Sequence, residues 1–514
     1  MRLGIDFGTT RTVVASVEDG NYPICTFNFE GDSKEYLPTL LAIKEGTLLF
    51  GWDAVNCLND PDVFMLRSMK RLANQLRADD PIELAPGVTL TMLEIMTHFM
   101  EHVKWMLTEY SNLIFDQDRP IEVMVGAPAN ANTNQRYITL EAFKRAGFKT
   151  LGMMNEPSAS AVEFVHRYLR DLGPRSPKKY VVVYDLGGGT FDTSVVGLAD
   201  RNFEVIATEG IAELGGDDFD RIILDQVLKE SLLSWDRLSP HNTTHALEEC
   251  RERKEGLKPT TRKMIVDLGP ILGEDKSVVL ETSTIYERCK PLIQSTLDRV
   301  QSVTSNMNRI GIDPADTQSL AAVYLVGGSV SFPPVSRKIR ELFGRKVKTS
   351  LFPHAATAIG LAIAADPDKR IRVSESVSRN FGVWREYEHG RDKIFDTIFK
   401  KGNRMEQEKG HLSTTRIYHS MHNIGHLRYL ECSAIGKAGE PQGDIALWDE
   451  IYFPYDPKLK DRENLSMISI EERHDLVGNE IVETYFYDTK GMIRINIENR
   501  TQGYQKVYTI GPTS

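Results

Sequence analysis

Two apolar runs that each end in an aspartate and a glycine turn stand out in the hydrophobic pattern. Tyr180–Asp185 is almost wholly apolar or aromatic, and Leu186–Thr190 holds three consecutive glycines before a second apolar segment. Runs of this kind on either side of a glycine turn predict a β-hairpin. Arg2–Ser16 repeats the pattern, with Asp6 closing the first run and Gly8-Thr9-Thr10 in the turn. The repetition predicts two related halves whose hairpins face one cleft.

Between and after these hairpins the pattern alternates between buried strands and amphipathic helices. Strands are expected over residues 22–50, Ile121–Pro128, Leu151–Pro157, Phe203–Thr208 and Ala321–Val326. Helices are expected over Phe64–Leu76, Thr91–Tyr110, Asn134–Ala146, Ser158–His166, Phe219–Val227, Thr244–Leu257, Ile285–Met307, Val335–Phe343 and Ala355–Ala365. This alternation is typical of an α/β protein.

The helical period disappears after about residue 371, where short alternating segments lie between polar turns. The predicted strands include Ile394–Phe399, Ile424–Ser433, Ile481–Tyr487, Met492–Glu498 and Tyr504–Ile510. We therefore predict an α/β domain over 1–368, a polar linker over 369–378 and a β-sandwich over 379–514. The first domain divides into lobe I, about 1–174, and lobe II, about 178–368, around the Pro- and Lys-rich connector 173–179.

The central hairpin carries groups that suit a phosphate–metal complex. Gly187, Gly188 and Gly189 let backbone amides approach a ligand, and Thr190 adds a hydroxyl. Asp185 and Asp192 bracket the turn, and carboxylates of this kind hold hydrated Mg²⁺. The alternative is a tight structural hairpin, and the glycines alone do not decide between the two.

Three other segments could contribute to the same cleft. Glu156 ends a strand where a helix begins, although a carboxylate there also complements the helix dipole. Gly215 and Gly216 precede a helix, and Gly327-Gly328-Ser329 follows a buried strand and lets backbone approach a flat ligand such as a purine. Lys70-Arg71 lies in a predicted helix, where such a pair usually faces solvent.

Composition narrows the function class. The net charge of −10 argues against a nucleic-acid-binding protein. The five cysteines are scattered without a CxxC, which favours a reducing compartment and no zinc site. Because the N-terminus enters a strand at once and no apolar run reaches membrane-spanning length, we expect no signal peptide, no membrane partner and a cytoplasmic location.

Taken together, these motifs resemble the 70-kDa heat-shock chaperone family of the actin-like ATPase superfamily. The resemblance covers residues 1 to about 366 in the family's order and spacing. It rests on Gly4-Ile-Asp6-Phe-Gly8-Thr9-Thr10, Lys70-Arg71-Leu72, Asn155-Glu156-Pro157, Asp185-Leu-Gly-Gly-Gly-Thr190-Phe-Asp192, Leu214-Gly-Gly-Asp-Asp-Phe-Asp220 and Leu325-Val-Gly-Gly-Ser329. More weakly, Tyr485–Lys506 is similar to the last hairpins of the family's peptide-binding sandwich. The family's helical lid has no counterpart before Ser514, so the chain looks like a lidless member.

The resemblance implies a two-lobed, actin-like ATPase with duplicated ribonuclease-H-like halves that slowly hydrolyses ATP to ADP and phosphate. It also implies extended polypeptide clients, a J-domain co-chaperone and a nucleotide-exchange factor. Lys70, Glu156, Asp185 and Thr190 would be catalytic. Asp6, Asp185 and Asp192 would hold Mg²⁺, with K⁺ as a further candidate ion. The nucleotide would lie against Gly8, Thr9, Thr10, Arg11, Gly187, Gly188, Gly189, Gly215, Gly216, Lys254, Gly327, Gly328 and Ser329.

The sequence departs from the family on the side that would hold the base. Arg251 stands where an acidic residue is usual, Lys258 where a serine is usual, Ser331 in place of a stacking arginine and His354 in place of an aspartate. Base specificity is therefore less well predicted than phosphate binding. Arg11 replaces an aromatic or small residue and could reach a phosphate.

The linker also departs, because 370–377 is mostly polar where the family has an apolar coupling segment. The leading hypothesis is an ATP-hydrolysing chaperone that binds extended polypeptide. The alternative is a nucleotide-dependent adaptor whose β domain binds one dedicated partner, with weak or no turnover. A filament-forming actin relative is a third and less favoured interpretation.

Overall fold

The structure is a computed structural model. It describes residues 1–58, 60, 62–67, 69–116, 118–169, 176–198, 202–211, 213–272, 277–305, 307, 318–369, 371–374, 377–387, 392–403, 411–488 and 491–510. Its α-helices are α1 (Gly51–Asn56), α2 (Met69–Gln75), α3 (Met92–Tyr110), α4 (Thr133–Arg145), α5 (Glu156–Tyr168), α6 (Gly216–Glu230), α7 (Pro240–Glu255), α8 (Gly269–Leu272), α9 (Thr282–Ser305), α10 (Pro333–Phe343) and α11 (Ala356–Ala365). Short 3₁₀ helices occupy Trp235–Arg237, Gly328–Ser331, Gly344–Lys346, Pro457–Leu459, Leu465–Met467 and His474–Leu476.

The strands of the first part of the chain are β1 (Arg2–Phe7), β2 (Arg11–Ser16), β3 (Phe27–Phe29), β4 (Asp32–Lys34), β5 (Leu37–Pro38), β6 (Leu40–Lys44), β7 (Thr47–Phe50), β8 (Phe64–Arg67), β9 (Pro81–Ala85), β10 (Val88–Thr91), β11 (Glu122–Ala127) and β12 (Lys149–Asn155). Five of them form a mixed sheet in the order β12-β11-β1-β2-β5. The hairpin β1–β2 is antiparallel, whereas β11 and β12 join it as parallel strands.

The second large sheet repeats this arrangement. Its part of the chain contains β13 (Tyr180–Leu186), β14 (Phe191–Gly197), β15 (Asn202–Ile211), β16 (Lys263–Asp267), β17 (Ser277–Glu281), β18 (Leu320–Val326), β19 (Val347–Thr349) and β20 (Arg372–Ser374). The sheet order is β19-β18-β13-β14-β15-β20, and β18 and β19 are parallel to β13 as β11 and β12 are to β1. Both predicted hairpins are therefore present, each flanked by two parallel strands.

Two helices lie between the large sheets and join them. Helix α11 packs on α5 and contacts β1, β2 and β11 of the first sheet, while α5 contacts β13, β14 and β15 of the second. The packing is close because both helices are rich in small residues, and Gly360 leaves no room for a β-carbon beside the backbone of Ala159. A buried apolar cluster that draws on both halves surrounds this helix pair.

The C-terminal part contains only strands and short 3₁₀ turns among the residues that the structure describes. Its strands are β21 (Asn380–Tyr387), β22 (Asp392–Phe399), β23 (His411–His419), β24 (Ile424–Ile435), β25 (Pro441–Pro454), β26 (Glu480–Asp488), β27 (Ile493–Asn499) and β28 (Tyr504–Ile510). They form two antiparallel four-stranded sheets, β22-β21-β24-β25 and β23-β26-β27-β28, whose buried side chains share one apolar core. We refer to residues 377–510 as the β domain.

One predicted helix was partly wrong. Phe64–Arg67 is the strand β8, which pairs antiparallel with β6, and only Met69–Gln75 of the segment is helical. The apolar spacing of this short segment is compatible with both the helical and the strand period. It forms a strand because it pairs with β6. The helix Thr91–Tyr110 was confirmed, with a capping box between Thr91 and Glu94.

Parts of both predicted connectors lie outside the described residues, namely 173–175 of the interlobe connector and 370, 375 and 376 of the linker. Within the linker, Arg372–Ser374 forms β20, which extends the second large sheet beside Asn202–Glu204 of β15. The polar linker is thus partly ordered as an edge strand. None of the described helices is both long enough and apolar enough to cross a bilayer.

Candidate functional site

The turns of the two hairpins touch each other at the centre of the molecule. Each turn is closed by the same backbone hydrogen bond, from Gly8 N to Arg11 O and from Gly187 N to Thr190 O, both 3.0 Å long. The side chain of Thr10 occupies the space that a β-carbon on Gly188 would need, so this glycine allows the two turns to meet. The amides of both turns therefore face one region.

That region is a cavity of about 310 Å³ between the two halves. The predicted site residues that line it are Asp6, Gly8, Thr9, Thr10, Arg11, Lys70, Glu156, Asp185, Gly187, Gly188, Thr190, Asp192, Gly216, Lys254, Gly327, Gly328 and Ser329. Gly189 and Gly215 do not line it, because they pack against each other behind the turn. Four further lining residues, Glu255, Phe332, Pro353 and Thr357, carry no local motif, whereas Asp217 belongs to the motif Leu214–Asp220 but was not predicted as a site residue.

A buried ion pair lies at the inner end of this cavity. Lys70 Nζ is 2.5 Å from Glu156 Oε1, and the side chains are 10% and 15% exposed. A Lys-Arg pair on a helix usually faces solvent, but Lys70 does not. Burial opposes the charge on Lys70, but the carboxylates of Glu156 and Asp6 outweigh it and raise the lysine pKa. Lys70 is thus held as a cation at the surface of the cavity.

Three aspartates surround the ion pair. Burial, followed by repulsion from Glu156, raises the pKa of Asp6 and of Asp192 to about 7 and that of Asp185 well above its ordinary value. Asp185 and Asp192 face each other across the β13–β14 ladder. Carboxylates crowded in this way gain stability from a cation. Within the described residues, however, no three acidic, histidine or cysteine side chains are close enough together to bind one ion directly.

The segment Gly327-Gly328-Ser329 closes the cavity from the lobe II side. Gly327 has φ of 84°, and a β-carbon there would collide with Asp185 and with the backbone of Leu186. Ser329 Oγ donates a hydrogen bond of 2.8 Å to Gly187 O. The glycines thus bring this segment against the central hairpin, and the serine fixes it there.

Helices α6 and α7 meet at the other end of the cavity. Lys254 Nζ donates to Gly216 O and pairs with Asp220, both at 2.7 Å. Arg251 pairs with Asp217 at 2.7 Å and with Glu248 at 3.2 Å. Two of the cationic groups on the predicted base side are therefore already neutralised by lobe II carboxylates.

The remaining departures from the family also have defined places. Ser331 and His354 line the cavity, whereas Lys258 does not. His354 Nε2 lies 3.0 Å from Glu35 Oε2 across the two halves. Arg11, which the sequence places near a phosphate, donates to both oxygens of Glu255 at 2.7 and 3.0 Å and lies 4.4 Å from the centre of the Tyr36 ring.

The first turn of α4 connects the cavity to the β domain. Thr133 donates from its amide and its hydroxyl to Glu431 of β24, at 3.1 and 2.6 Å. Two and three residues later, Gln135 donates to Lys70 O at 2.9 Å and Arg136 to Asn155 Oδ1 at 2.5 Å. One helical turn therefore contacts the β domain and the segments that carry Lys70 and Glu156.

A polar network occupies one end of the space between the β domain sheets. Glu483 is fully buried, pairs with Arg385 at 2.6 Å and accepts hydrogen bonds from Tyr418 and Tyr485. Arg385 also pairs with Asp396 at 2.8 Å. Every charge in this group has a partner, so the network fills the end of the sheets with satisfied polar groups.

The fold and the cavity define a class of protein with two duplicated halves that close around a nucleotide-sized cleft. A family model described as "Hsp70 protein" matches residues 86–372. The chain is also 31% identical over 373 residues to "Chaperone protein DnaK" of Mycoplasmopsis pulmonis (strain UAB CTIP). That match covers 70% of this chain and 57% of the relative, so the chain spans little more than half of the relative's length. The chain belongs to the Hsp70 family, whose nucleotide-binding domain has the two-lobed actin-like fold.

Proposed function

We propose that this chain binds ATP between its two lobes and hydrolyses it slowly to ADP and phosphate. The observation that carries the proposal is the convergence of two glycine turns, three half-buried aspartates and the Lys70–Glu156 pair on one cavity. Phosphoryl transfer requires little covalent chemistry from the protein, and catalysis depends on positioning and on neutralising charge. The cavity supplies both kinds of group.

Each group has a defined part in this proposal. The amides and hydroxyls of the two turns, from Gly8 to Thr10 and from Gly187 to Thr190, bind phosphate oxygens. Lys70 neutralises charge at the terminal phosphate, and Glu156 with Thr190 orients the attacking water. Glu156 and Asp185 are the candidate proton acceptors, and the raised pKa of Asp185 makes it a competent base once it is ionised.

The aspartates fit a hydrated divalent ion because they are half-buried, crowded and line the same cavity as the two glycine turns. Asp6, Asp185 and Asp192 would hold Mg²⁺ through its water ligands, and K⁺ could lie at a neighbouring position. When bound, such an ion neutralises charge on the phosphates. The protein's contribution is to hold the three carboxylates together on the cavity, where a bound cation would favour their ionised forms.

Single-turnover hydrolysis of ATP tests the assignment of Lys70. Lys70→Ala should slow the chemical step by about 100-fold, since removing a preorganised charge-stabilising group typically costs that much. The matched control is Lys290→Ala, which removes an exposed lysine that pairs only with Glu287. Equal rates for Lys70→Ala and wild type would refute the catalytic role, and calorimetric titration with ATP and ADP would show separately whether nucleotide binds.

For the β domain we propose binding of extended polypeptide, as the family membership suggests, in a chaperone cycle with a J-domain protein and an exchange factor. The contact of Thr133 with Glu431 supports communication between the two domains. A peptide array read with ATP and with ADP tests the proposal. A general chaperone should bind many apolar segments, and the set that it binds should change with the nucleotide.

The alternative function is a nucleotide-dependent adaptor that binds one dedicated partner. The buried network around Glu483 favours it, because ion-paired arginine and tyrosine side chains fill an end of the sheets that would otherwise be open to apolar groups. On the same array an adaptor would bind almost no segments. The double variant Arg385→Leu with Glu483→Leu tests whether the network excludes apolar peptides. If it does, the double variant should bind more of them than wild type.

A further inference from the structure

A second cavity of about 560 Å³ adjoins the nucleotide cavity between the two halves. The two share Thr9, Thr10 and Arg11, so the first hairpin turn forms part of their common boundary. Lys70 and Glu156 line only the first cavity, whereas Arg71 lines only the second. Consecutive residues of α2 therefore face different compartments.

Arg71 differs in its contacts from three other arginines that line the second cavity. Arg11, Arg67 and Arg251 are each paired with a glutamate or an aspartate. Arg71 has no carboxylate partner among the described residues, and its guanidinium instead donates to the carbonyl of Gly189 in the central turn. Its Nε is buried and has no hydrogen-bond partner. An unused donor on a permanent cation thus lies directly beside the turn that is proposed to bind phosphates.

The position of Arg71 bears on product release. This inference rests on the function proposed above. In that proposal the terminal phosphate lies at the inner end of the first cavity, next to Lys70 and Glu156. After hydrolysis ADP lies between the free phosphate and the base-side mouth. The phosphate therefore cannot leave through that mouth before ADP does. The second cavity offers a different outlet past the first hairpin turn.

We propose that Arg71 binds the product phosphate at the inner end of the second cavity, and that phosphate leaves by this route while ADP remains bound. Phosphate accepts charge-assisted hydrogen bonds from a guanidinium, which the free Nε–H and the rest of the fork can supply. Two exposed residues of its lining, Glu213 and Glu252, have no cationic partner among the described residues. These carboxylates repel phosphate, so phosphate is retained only beside Arg71 and passes them on its way to solvent.

Equilibrium binding of radiolabelled inorganic phosphate to the ADP-loaded full chain tests the proposal without requiring turnover. Wild type should bind phosphate, and Arg71→Gln should weaken that binding about tenfold or more, as expected when a charged donor is lost. Arg71→Lys should retain part of the affinity because it keeps the charge. In a single-turnover reaction followed with a fluorescent phosphate sensor, Arg71→Gln should release phosphate faster than wild type after the chemical step.

Arg221→Gln is the matched control, because Arg221 lines the same cavity without a carboxylate partner and does not contact the central turn. It should leave phosphate affinity unchanged. Equal phosphate affinity in wild type and Arg71→Gln would overturn the proposal. So would an equal loss of ADP and phosphate affinity that Arg71→Lys does not rescue, because Arg71 would then only support the turn. Failure of wild type to bind ADP would instead refute the proposed function, and this inference with it.

Discussion

The ion pair between Arg11 and Glu255 joins the two lobes across the mouth of the nucleotide cavity, and we expect it to control how fast ADP leaves. Arg11 belongs to β2 in the first half, and Glu255 ends α7 in the second. The guanidinium binds both carboxylate oxygens and also lies over the ring of Tyr36. Separation of the lobes must break the ion pair before a bound nucleotide can dissociate, whereas the contact with Tyr36 stays within the first half.

The structure sets the expected size of the effect. The Arg11 and Glu255 side chains are 28% and 50% exposed, so solvent screens the pair, and about 0.5–1 kcal/mol is appropriate for it. The cation–π contact with Tyr36 lies within the first half and persists when the lobes separate, so it does not add to the barrier. Loss of the ion pair should therefore lower the barrier to opening by about 0.5–1 kcal/mol. This corresponds to about a 2- to 5-fold faster dissociation of ADP.

Stopped-flow displacement of a fluorescent ADP analogue by excess ATP measures this rate. Arg11→Ala, Glu255→Ala and the double variant form a double-mutant cycle, and the charge swap Arg11→Glu with Glu255→Arg should restore part of the slow rate. Glu252→Ala is the control, since Glu252 lies on the same helix and has no cationic partner among the described residues. Raising the salt concentration should reduce the difference between wild type and the single variants.

Strictly additive effects in the cycle would refute this reasoning, because they would mean that the two side chains act independently. If Arg11→Ala changes the rate of ADP dissociation strongly and Glu255→Ala does not change it, Arg11 would instead contact a phosphate directly, as the sequence predicts. The cycle therefore distinguishes a closure contact from a ligand contact at the same residue.

Three further predictions concern stability and domain contact. Glu431→Ala should speed amide hydrogen exchange in the first turn of α4 about 5- to 100-fold, because buried donors lose a charged acceptor; unchanged exchange would contradict the contact. Gly360→Ala should cost about 3 kcal/mol in urea unfolding, since its β-carbon would collide with backbone, whereas Gly478→Ala, with open space around it, should cost far less. Hydrogen bonds from Lys149 and Arg2 lower the pKa of Glu122 from 4.5 to about 2. The contribution of ionised Glu122 to the stability of the fold is therefore fully present above pH 4.5 and is lost as the pH falls toward 2. The urea midpoints of wild type and Glu122→Gln should converge over that range.

The hairpins and most helices could be predicted from sequence because their signals are local. A buried run, a glycine turn and a second run allow few other structures, and the Thr91–Glu94 capping box marks the start of α3 directly. Phe64–Arg67 was the exception, since four residues are too few for periodicity to decide and the pairing partner β6 lies elsewhere in the chain.

Most site residues that were predicted from a sequence motif line one cavity in the structure. Most of the other lining residues belong to no motif and could not be predicted from the local sequence. Glu255 and Pro353 line the cavity only because α7 and the loop before α11 fold over it. The partners of Lys254 and Arg251 were also hidden, because Asp220 and Asp217 belong to another helix. Tertiary contacts of this kind depend on how the elements pack, which local spacing does not encode.

The amide of Thr133 in the first turn of α4 takes its acceptor from the β domain. Free N–H groups at a helix start need an acceptor, and here Glu431 provides one from nearly 300 residues further along the chain. Arg136 in the same turn is buried too. A proteolytic nick in the linker should therefore leave two fragments that stay associated and copurify. An isolated fragment 1–368 would keep the Asn132 cap but would lose the acceptor of the Thr133 amide and hydroxyl, so its solubility and nucleotide kinetics would describe a different molecule.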